Sequence, residues 1–597
     1  MGLLQKAVET YDAHAHLAGV SRAESQPLAP VSHIITGANL EVTLNAQGEL
    51  VSAVAVDKEN AKTIIPATEE SAGRTSAPCA HPLCDQVGYL SGVDPRKWDL
   101  YLRRLESWES SSFSHPMLKP ILTYVRKGTL LQDLKAQGIQ EPKEKDLVRW
   151  RVIGIGEDSG PCWTNQKLFD SFARWYAWAR AQGGAQEALC MITGKLDSPA
   201  GQHPKGVIPI NGNAKLISAN DSSNFTYRGR FTNDSQAATV SYMASQKAHN
   251  ALRWLAVNQG VLYGGRTFLC WNPQGKPVQQ PTNPFLAKTA KRGTTPTEYK
   301  RELKRALDGY RTQLPDGSGG VVIAAFDAAT TGRLAVTYYT ELRESDFLQR
   351  LYDWDETCCW WGWNPESGRP DRVEAPPLWQ IVNSTFGTQQ QGKGGVKLVT
   401  DDKLLRQQIQ RLLACRVDKA LFPRDIKEAL VHRAAERQRF DPNVYEWILS
   451  TACAVVRKYH FDRTKEEISM SLDTNSTDRS YQYGRLLAVM EKAERDTYAP
   501  NESREPNATR LQSVYCRRPL HTANQIENQL KQAYFPKLKP GSQNYYKNLI
   551  GEILAKITEC EKPEEANKPL GDTFVMGYYL QRKELYTPKQ RNEEEAK

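Results

Sequence analysis

The chain has 597 residues, a formal net charge of +10, and 40% hydrophobic and 24% charged residues. This is an ordinary globular composition with room for two to four domains, and the modest excess of positive charge only mildly favours an anionic partner. No window reaches about 18 apolar residues, which excludes a membrane-spanning helix, and the eleven scattered cysteines favour a reducing cytoplasm over a disulfide framework.

The N-terminal region predicts a helix, a β-hairpin and further helices. "LLQKAVETYDAHA" has apolar residues at helical spacing and lacks the basic segment and apolar core of a signal peptide, so it predicts an amphipathic helix. "NLEVTLNAQGELVSAVAV" alternates apolar and polar residues around a turn that ends at Gly48, which predicts a β-hairpin. Residues 95–140 have a helical pattern.

Predicted strands and helices alternate irregularly through the middle of the chain. "RWRVIGIG", "ALCMITG", "RTFLCWN", "GVVIAAFD" and "RLAVTYYTEL" have strand patterns, whereas "TNQKLFDSFARWYAWARAQGG" and residues 235–258 predict helices. A capping box, Thr295-Pro-Thr-Glu298, predicts the start of a basic helix that ends near Tyr310. We therefore predict a mixed α/β N-terminal domain over residues 1–385.

The strand signal disappears after residue 385. "GTQQQGKGG" predicts a low-complexity linker over residues 386–400. Repeated helical patterns then predict an all-helical C-terminal domain over residues 401–597. The predicted fold class is α+β, with a mixed α/β N-terminal region followed by an all-helical C-terminal bundle.

The motifs for catalysis are incomplete. Residues 387–394 approach a phosphate-binding loop, but Gly394 replaces the magnesium-binding hydroxyl and no helix pattern follows. Cys79-Ala-His81-Pro-Leu-Cys84 has the spacing of half a zinc site, and no second Cys-x-x-Cys pair completes it. No cluster of acids or histidines suggests a metal nuclease. We predict no catalytic residues, no metal and no cofactor, with a metal-dependent nuclease or another nucleic-acid enzyme as the alternative.

Two basic runs contain aromatic residues, a combination that suits surfaces for single-stranded nucleic acid. Residues 288–311 have eight Lys or Arg against three acids, and residues 510–547 have seven against one. A solvated helix face is the alternative interpretation of either run. The candidates for strand binding in the second run are Arg510, Arg517, Arg518, Lys531, Lys537, Lys539 and Lys547.

An ordered set of motifs identifies a family. "CMITGKLDSPAGQHPKGVIP" is followed by "LISANDSSNFTYRG", "ATVSYMASQKAHNALRWLAVNQG" and "GRTFLCWN", and later by "YQYGRLLAVMEKAERD" and "DTFVMGYYLQRKELY". In this order they resemble the large subunit of the type I-C CRISPR surveillance complex, Cascade. The resemblance covers nearly the whole chain and departs mainly at the Cys79–Cys84 segment and at residues 387–395.

The resemblance implies a non-catalytic subunit of a cytoplasmic, crRNA-guided antiviral complex. Such subunits recognise the protospacer-adjacent motif (PAM) in invading DNA, help to open the duplex, stabilise the R-loop and recruit a separate helicase-nuclease. The implied partners are double-stranded target DNA, crRNA, the crRNA-handle and backbone subunits, a small-subunit-like helical protein and the helicase-nuclease, with no membrane. Residues 1–385 are expected to contact PAM DNA and the crRNA-handle subunit, and residues 470–597 to form a small-subunit-like bundle.

One loop within those motifs carries the candidates for PAM recognition. Asn and Ser side chains suit the narrow minor groove, where hydrogen-bond acceptors dominate, and glycine allows close approach of the backbone. Arginines can hold phosphates, and neighbouring rings can wedge or stack. The alternatives are a contact with crRNA or another subunit, and a loop that packs onto its own domain. The candidates are Asn220, Ser222, Asn224, Tyr227, Arg228, Gly229 and Arg230.

Overall fold

The computed structural model describes residues 2–21, 25–74, 77–183, 187–210, 212–218, 231, 238–286, 295–312, 320–364 and 369–587. Unit 1 comprises Met1–Val278 and Gly319–Leu342, and unit 2 comprises Gln279–Ser318 and Arg343–Lys597. Unit 1 mixes helices with strands, while unit 2 is mainly helical, so the predicted α+β class is confirmed. Within the described ranges, no helix is long and apolar enough to cross a membrane.

Unit 1 begins with a helix and then alternates strands and helices. Its described helices are α1 Leu3–Ala13, α2 Glu69–Gly73, α3 Val87–Leu90, α4 Pro95–Glu109, α5 Leu118–Arg126, α6 Leu130–Ala136, α7 Gln166–Gln182 and α8 Tyr242–Gln259. Its described strands are β1 His33–Gly37, β2 Leu40–Leu44, β3 Leu50–Ala55, β4 Lys62–Pro66, β5 Val148–Val152, β6 Gly160–Pro161, β7 Ala188–Leu189, β8 Leu196–Asp197, β9 Val261–Tyr263, β10 Arg266–Trp271, β11 Gly320–Thr330 and β12 Arg333–Arg343.

Two four-stranded sheets organise unit 1. In the first, β2 pairs antiparallel with β3 and parallel with β5, and β5 also pairs with β6. The predicted hairpin is confirmed as β2 and β3, and Gly48 takes φ +73° in its turn. The second sheet has the order β12-β11-β10-β9. Its central pair aligns Cys270 with Ile323, so two of the predicted apolar strands lie side by side.

Each sheet of unit 1 covers its own apolar core. Val42 and Leu44 of β2 are fully buried and belong to the same cluster as Trp150 and residues of α4, α5 and α7. The second core lies between β10, β11, α1 and α8. There the indole N–H of Trp271 donates to Thr10 Oγ1 at 3.0 Å, which ties β10 to the predicted N-terminal helix.

Unit 2 is built from helices and two β-hairpins. Its described helices are α9 Pro296–Thr312, α10 Glu344–Thr357, α11 Leu378–Phe386, α12 Asp402–Val417, α13 Arg424–Ala434, α14 Pro442–Thr464, α15 Arg479–Arg495, α16 Asn507–Arg510, α17 Gln512–Arg517, α18 Pro519–Gln529, α19 Pro540–Cys560 and α20 Phe574–Tyr586. Its hairpins pair β13 Trp360–Asn364 with β14 Arg369–Glu374, and β15 Thr388–Gly392 with β16 Gly395–Val399.

The structure divides the chain differently from the sequence prediction. The predicted linker over residues 386–400 is the β15–β16 hairpin, with Gly395 at φ +106° beside its turn. Residues 343–385 belong to unit 2, whereas β11 belongs to unit 1, where its residues Val322–Phe326 pair with β10. This pairing joins residues about fifty positions apart, a long-range contact that local composition does not report. Residues 401–587 contain helices and no strand, as the sequence predicted.

Close packing of α15 against α20 explains two of the C-terminal motifs. A Cβ atom at Gly577 would lie 2.1 Å from the Tyr481 carbonyl oxygen, and one at Gly484 would lie 2.3 Å from the Phe574 carbonyl oxygen. Glycine at both positions lets the two backbones touch. The glycines of "YQYGRLL" and "VMGYYL" therefore set the distance between these helices.

The predicted first residue of the small-subunit-like bundle, Met470, is packed against other parts of unit 2. Met470 is buried, and its carbonyl oxygen accepts a hydrogen bond from the Trp361 indole at 2.8 Å. The Tyr579 hydroxyl donates to the Trp361 carbonyl oxygen at 3.1 Å. Residues 470–587 thus pack against β13.

Candidate nucleic-acid interface

The candidate PAM residues of unit 1 lie outside the described residues, which resume at Phe231 and then at residue 238. This applies to Asn220, Ser222, Asn224, Tyr227, Arg228, Gly229 and Arg230. The described segment before them ends at residue 218, and α8 begins at Tyr242 with the Ser241 hydroxyl accepting from the Ala244 amide at 3.3 Å. Their role in PAM recognition stays a prediction.

The segment before the candidate loop contains two lysines that the sequence interpretation did not single out. Lys205 and Lys215 form an isolated antiparallel bridge, and the Gly206 amide donates to the Ala214 carbonyl oxygen at 2.9 Å. Burial and the nearby Lys205 ammonium lower the pKa of Lys215. Two half-buried ammonium groups held together repel each other, and an anion between them would relieve that repulsion. The two lysines therefore give this segment a concentrated positive charge.

The base of this segment is fixed to α8. Arg253 of α8 donates to the Lys205 carbonyl oxygen at 2.6 Å and to the Gly206 carbonyl oxygen at 3.1 Å. Lys205 Nζ donates to the Arg74 carbonyl oxygen at 3.1 Å. The motif "QHPKG" marks this turn in the sequence, but its position against α8 requires the tertiary structure.

The second basic run is exposed on unit 2. Its cations lie in α16, in and directly after α17, in the segment between α18 and α19, and in α19. Lys531 pairs with Glu527 at 2.7 Å; for the other six, the described part of the chain shows no carboxylate within 4.0 Å. The exposed residues are Arg510, Arg517, Arg518, Lys531, Lys537, Lys539 and Lys547.

The aromatic residues of this run do not share that exposure. Tyr515, Tyr534, Phe535 and Tyr546 are buried, whereas Tyr545 is 44% exposed. Tyr515 lies in α17 and Tyr546 in α19, whereas Tyr534 and Phe535 lie between α18 and α19. All four rings are buried in unit 2, while the cations of the run are exposed. Of these five rings, Tyr545 is accessible enough to stack on a base. The surface predicted from the sequence therefore offers a nucleic acid mainly positive charge and little aromatic area for stacking.

Buried rings still contribute to the basic surface. Lys537 lies 5.6 Å from the centroid of the Tyr534 ring, and Lys547 lies 5.7 Å from that of Phe535. An aromatic face attracts a cation at such distances and restricts its position. The rings therefore help to place ammonium groups at the surface.

The first basic run has the pattern of a solvated helix face. In α9, Tyr299, Leu303 and Leu307 are buried, and the predicted capping box is confirmed. The Glu298 amide donates to Thr295 Oγ1 at 3.2 Å, and the Thr295 amide donates to Glu298 Oε2 at 3.1 Å. The described cations on the outer face are Arg301, Lys304, Arg305 and Arg311.

The Cys79–Cys84 segment is held by structural hydrogen bonds. His81 Nδ1 lies 3.0 Å from Ser71 Oγ, and the His81 amide donates to Asp85 at 2.7 Å. Burial lowers the pKa of His81 to about 4 and raises that of the Cys84 thiol to about 12. No group of three metal-binding side chains occurs within the described ranges.

Comparison with known proteins gives one match of long extent. A family model described as "CRISPR-associated protein (Cas_Csd1)" matches residues 8–586. No curated protein matches the chain. The matched range includes the candidate PAM loop and the exposed basic run of unit 2.

Proposed function

Because the chain belongs to the Cas_Csd1 family of CRISPR-associated proteins, we propose that it is the non-catalytic large subunit of a type I-C surveillance complex. In this role it recognises the PAM in double-stranded DNA, helps to open the duplex, stabilises the R-loop and recruits a separate helicase-nuclease. Its partners in the cytoplasm are the crRNA, the crRNA-handle and backbone subunits, and a small-subunit-like helical protein.

The exposed basic run of unit 2 is the observation that carries this proposal. Seven exposed cations against one acid in residues 510–547 form a surface that suits a phosphate backbone. Phosphate contacts of this kind position nucleic acid without reading its sequence. We assign sequence reading to the loop in unit 1 and retention of the opened strand to this surface.

The alternative function, a metal-dependent nuclease or another nucleic-acid enzyme, makes a different prediction for the purified chain. It requires cleavage of DNA or RNA that depends on added magnesium or manganese and copurifies with the protein. The proposed subunit binds its target and leaves cleavage to the helicase-nuclease.

Substitution of the candidate loop tests the PAM assignment. Replacing Asn220, Asn224 and Arg228 together with Ala is expected to weaken capture of a PAM-containing duplex by the assembled complex by about 1–3 kcal/mol for each base contact that is lost. Capture of a target already unwound at the PAM is expected to change less. Electrophoretic mobility shifts with both targets measure the difference. An equal loss on both targets, with the complex intact, would remove these residues from PAM reading.

Charge reversal in unit 2 tests the strand surface. We expect Lys531→Glu, Lys537→Glu and Lys539→Glu, combined, to weaken R-loop capture more than PAM binding. Each lost contact with a single strand lowers the magnitude of the slope of log K against log salt by about 0.7, so three contacts account for about 2. Titrations at several salt concentrations give this slope.

A matched variant controls for the change in net charge. Lys58, Lys62 and Lys145 are exposed residues of unit 1, and their replacement by Glu alters the protein charge by the same amount. This control is expected to keep the wild-type salt slope for R-loop capture. Equal slopes for both triple variants would contradict a specific strand surface at Lys531, Lys537 and Lys539.

A further inference from the structure

A cavity of about 570 Å³ lies within unit 2 among the β13–β14 hairpin, α11, α14 and α20. Its size lies in the range of small-molecule sites, about 300–1,000 Å³. The described residues of its walls come from separated parts of the chain, residues 360–362, 372–380, 442–454 and 579–586. Neither basic run contributes to it.

Aromatic rings dominate the lining of this cavity. Trp447 of α14 and Tyr586 of α20 are both 45% exposed, which is unusual for rings of this size. The remaining rings form the deeper wall. Those rings belong to Trp360, Trp361, Trp379 and Tyr579.

Lys583 differs from the other cations that line the cavity, because no ion pair joins it to a described carboxylate. Lys583 Nζ lies 3.8 Å from the centroid of the Trp361 ring, and the described part of the chain places no carboxylate within ion-pair distance of it. Burial lowers the pKa of this half-buried ammonium group. An anion that entered the cavity would therefore gain a charge partner at Lys583.

The other charges at the cavity occur as pairs. Arg582 Nη2 lies 2.9 Å from Glu446 Oε1, and Arg372 Nε lies 3.6 Å from Glu374 Oε2. Each carboxylate is thus neutralised by an arginine. The lining therefore has three cations, Arg372, Arg582 and Lys583, against two acids, and the carboxylates of Glu584 and Asp371 also act electrostatically on Lys583.

An amide group adds polar recognition at the rim. Asn443 and Trp447 are exposed one helical turn apart on α14, and both line the cavity. The amide supplies hydrogen-bond donors and an acceptor, as the edge of a nucleobase does. An exposed ring, an amide and a cation around one cavity match three features of a nucleotide, namely the face of the base, the edge of the base and the phosphate.

We propose that this cavity of unit 2 binds an unpaired base of single-stranded DNA, with the base on Trp447 and the adjoining phosphate at Lys583. The inference deepens the proposed function and rests on it, because an opened duplex supplies the unpaired strand. The basic run provides charge with a single accessible ring at Tyr545, and the cavity supplies the stacking platform that this run lacks.

The test uses the full-length protein and a ten-residue oligothymidylate with one central 2-aminopurine, whose fluorescence falls when it stacks. Trp447→Ala is expected to lower affinity about 5- to 100-fold, the effect of losing one stacked base, and to abolish the quenching. Trp178→Ala is the matched control, because Trp178 is 46% exposed in unit 1 and does not line the cavity. It is expected to bind as the wild type does.

Two further substitutions identify the occupant. Trp447→Phe keeps a ring and is expected to retain most of the affinity, whereas Trp447→Leu keeps apolar volume without a ring and is expected to bind as Trp447→Ala does. Lys583→Gln is expected to lower the magnitude of the salt slope by about 0.7, one phosphate contact. Wild-type binding by the Leu variant would indicate a site for an apolar protein side chain and overturn the proposal.

A parallel measurement separates this inference from the proposed function. The same variants are assembled into the complex and tested for capture of a PAM-containing duplex. If the wild-type complex captures the duplex while single-strand binding is indifferent to Trp447 and Lys583, the cavity assignment fails alone. If the wild-type complex fails to capture the duplex, the proposed function fails.

Discussion

Unit 1 is expected to lose stability steeply as the pH falls from about 6.5 to about 4. Burial lowers the pKa of His33 and of His81 to about 4 and that of His249 to about 3. Between these values and about 6.5 the unfolded chain binds protons that the folded unit does not. Each histidine then lowers the free energy of unfolding by about 1.4 kcal/mol for every pH unit. Summed over this pH range, the loss from three histidines approaches the total stability of a domain, about 5–15 kcal/mol.

The hydrogen bonds of two of these rings explain why they resist protonation. His33 Nδ1 lies 2.9 Å from the Val31 carbonyl oxygen and His249 Nδ1 lies 2.7 Å from that of Ser245, so Nδ1 carries the proton in both. Their Nε2 atoms are buried, and no described residue forms a hydrogen bond with them. A second proton would place an unpaired charged donor in the core.

Urea unfolding followed by tryptophan fluorescence at a series of pH values measures this loss. His249→Gln removes one titrating group, so the slope of stability against pH below 6.5 is expected to decrease by about 1.4 kcal/mol per pH unit. His16→Gln is the control, because the exposed His16 ring is hydrated in the folded and unfolded states. A slope unaltered by His249→Gln would contradict the assignment of acid sensitivity to buried neutral histidines.

Asp355→Ala is expected to destabilise unit 2 by about 3–5 kcal/mol. Asp355 and Arg416 are both fully buried, and Asp355 Oδ1 lies 2.5 Å from Arg416 Nη2. The Phe285 amide also donates to Asp355 at 2.5 Å. Removal of the carboxylate leaves a buried guanidinium without its counter-charge and a buried N–H group without its acceptor.

The unfolding midpoint of unit 2 in urea reports this loss. Asp353→Ala is the matched control two residues away, where the side chain is 45% exposed, and it is expected to cost less than about 1 kcal/mol. Adding Arg416→Met to Asp355→Ala removes the unpaired charge and is expected to recover part of the stability. Strict additivity of the two substitutions would show that packing, and not charge, accounts for the loss.

The sequence alone determined the features that depend on neighbours along the chain. The β2–β3 hairpin follows from alternation around the turn at Gly48, and the capping box at Thr295 and Glu298 follows from local hydrogen bonds. The ordered motifs indicated the CRISPR-associated family that the match over residues 8–586 establishes. Lys531, Lys537 and Lys539 are exposed, and their role in binding a strand stays a prediction.

Only the tertiary structure decided which residues of those patterns meet. The basic run of residues 510–547 includes Tyr515 and Tyr534, whose rings lie in the core of unit 2 and not beside its exposed cations. The two units do not meet at residue 385 in the chain. Pairing with β10 places β11 in unit 1, and unit 2 resumes at Arg343. The cavity at Trp447 and Lys583 joins three distant segments that share no local pattern. Periodicity depends on neighbours a few residues apart, whereas burial and cavity formation depend on contacts between segments far apart in the chain.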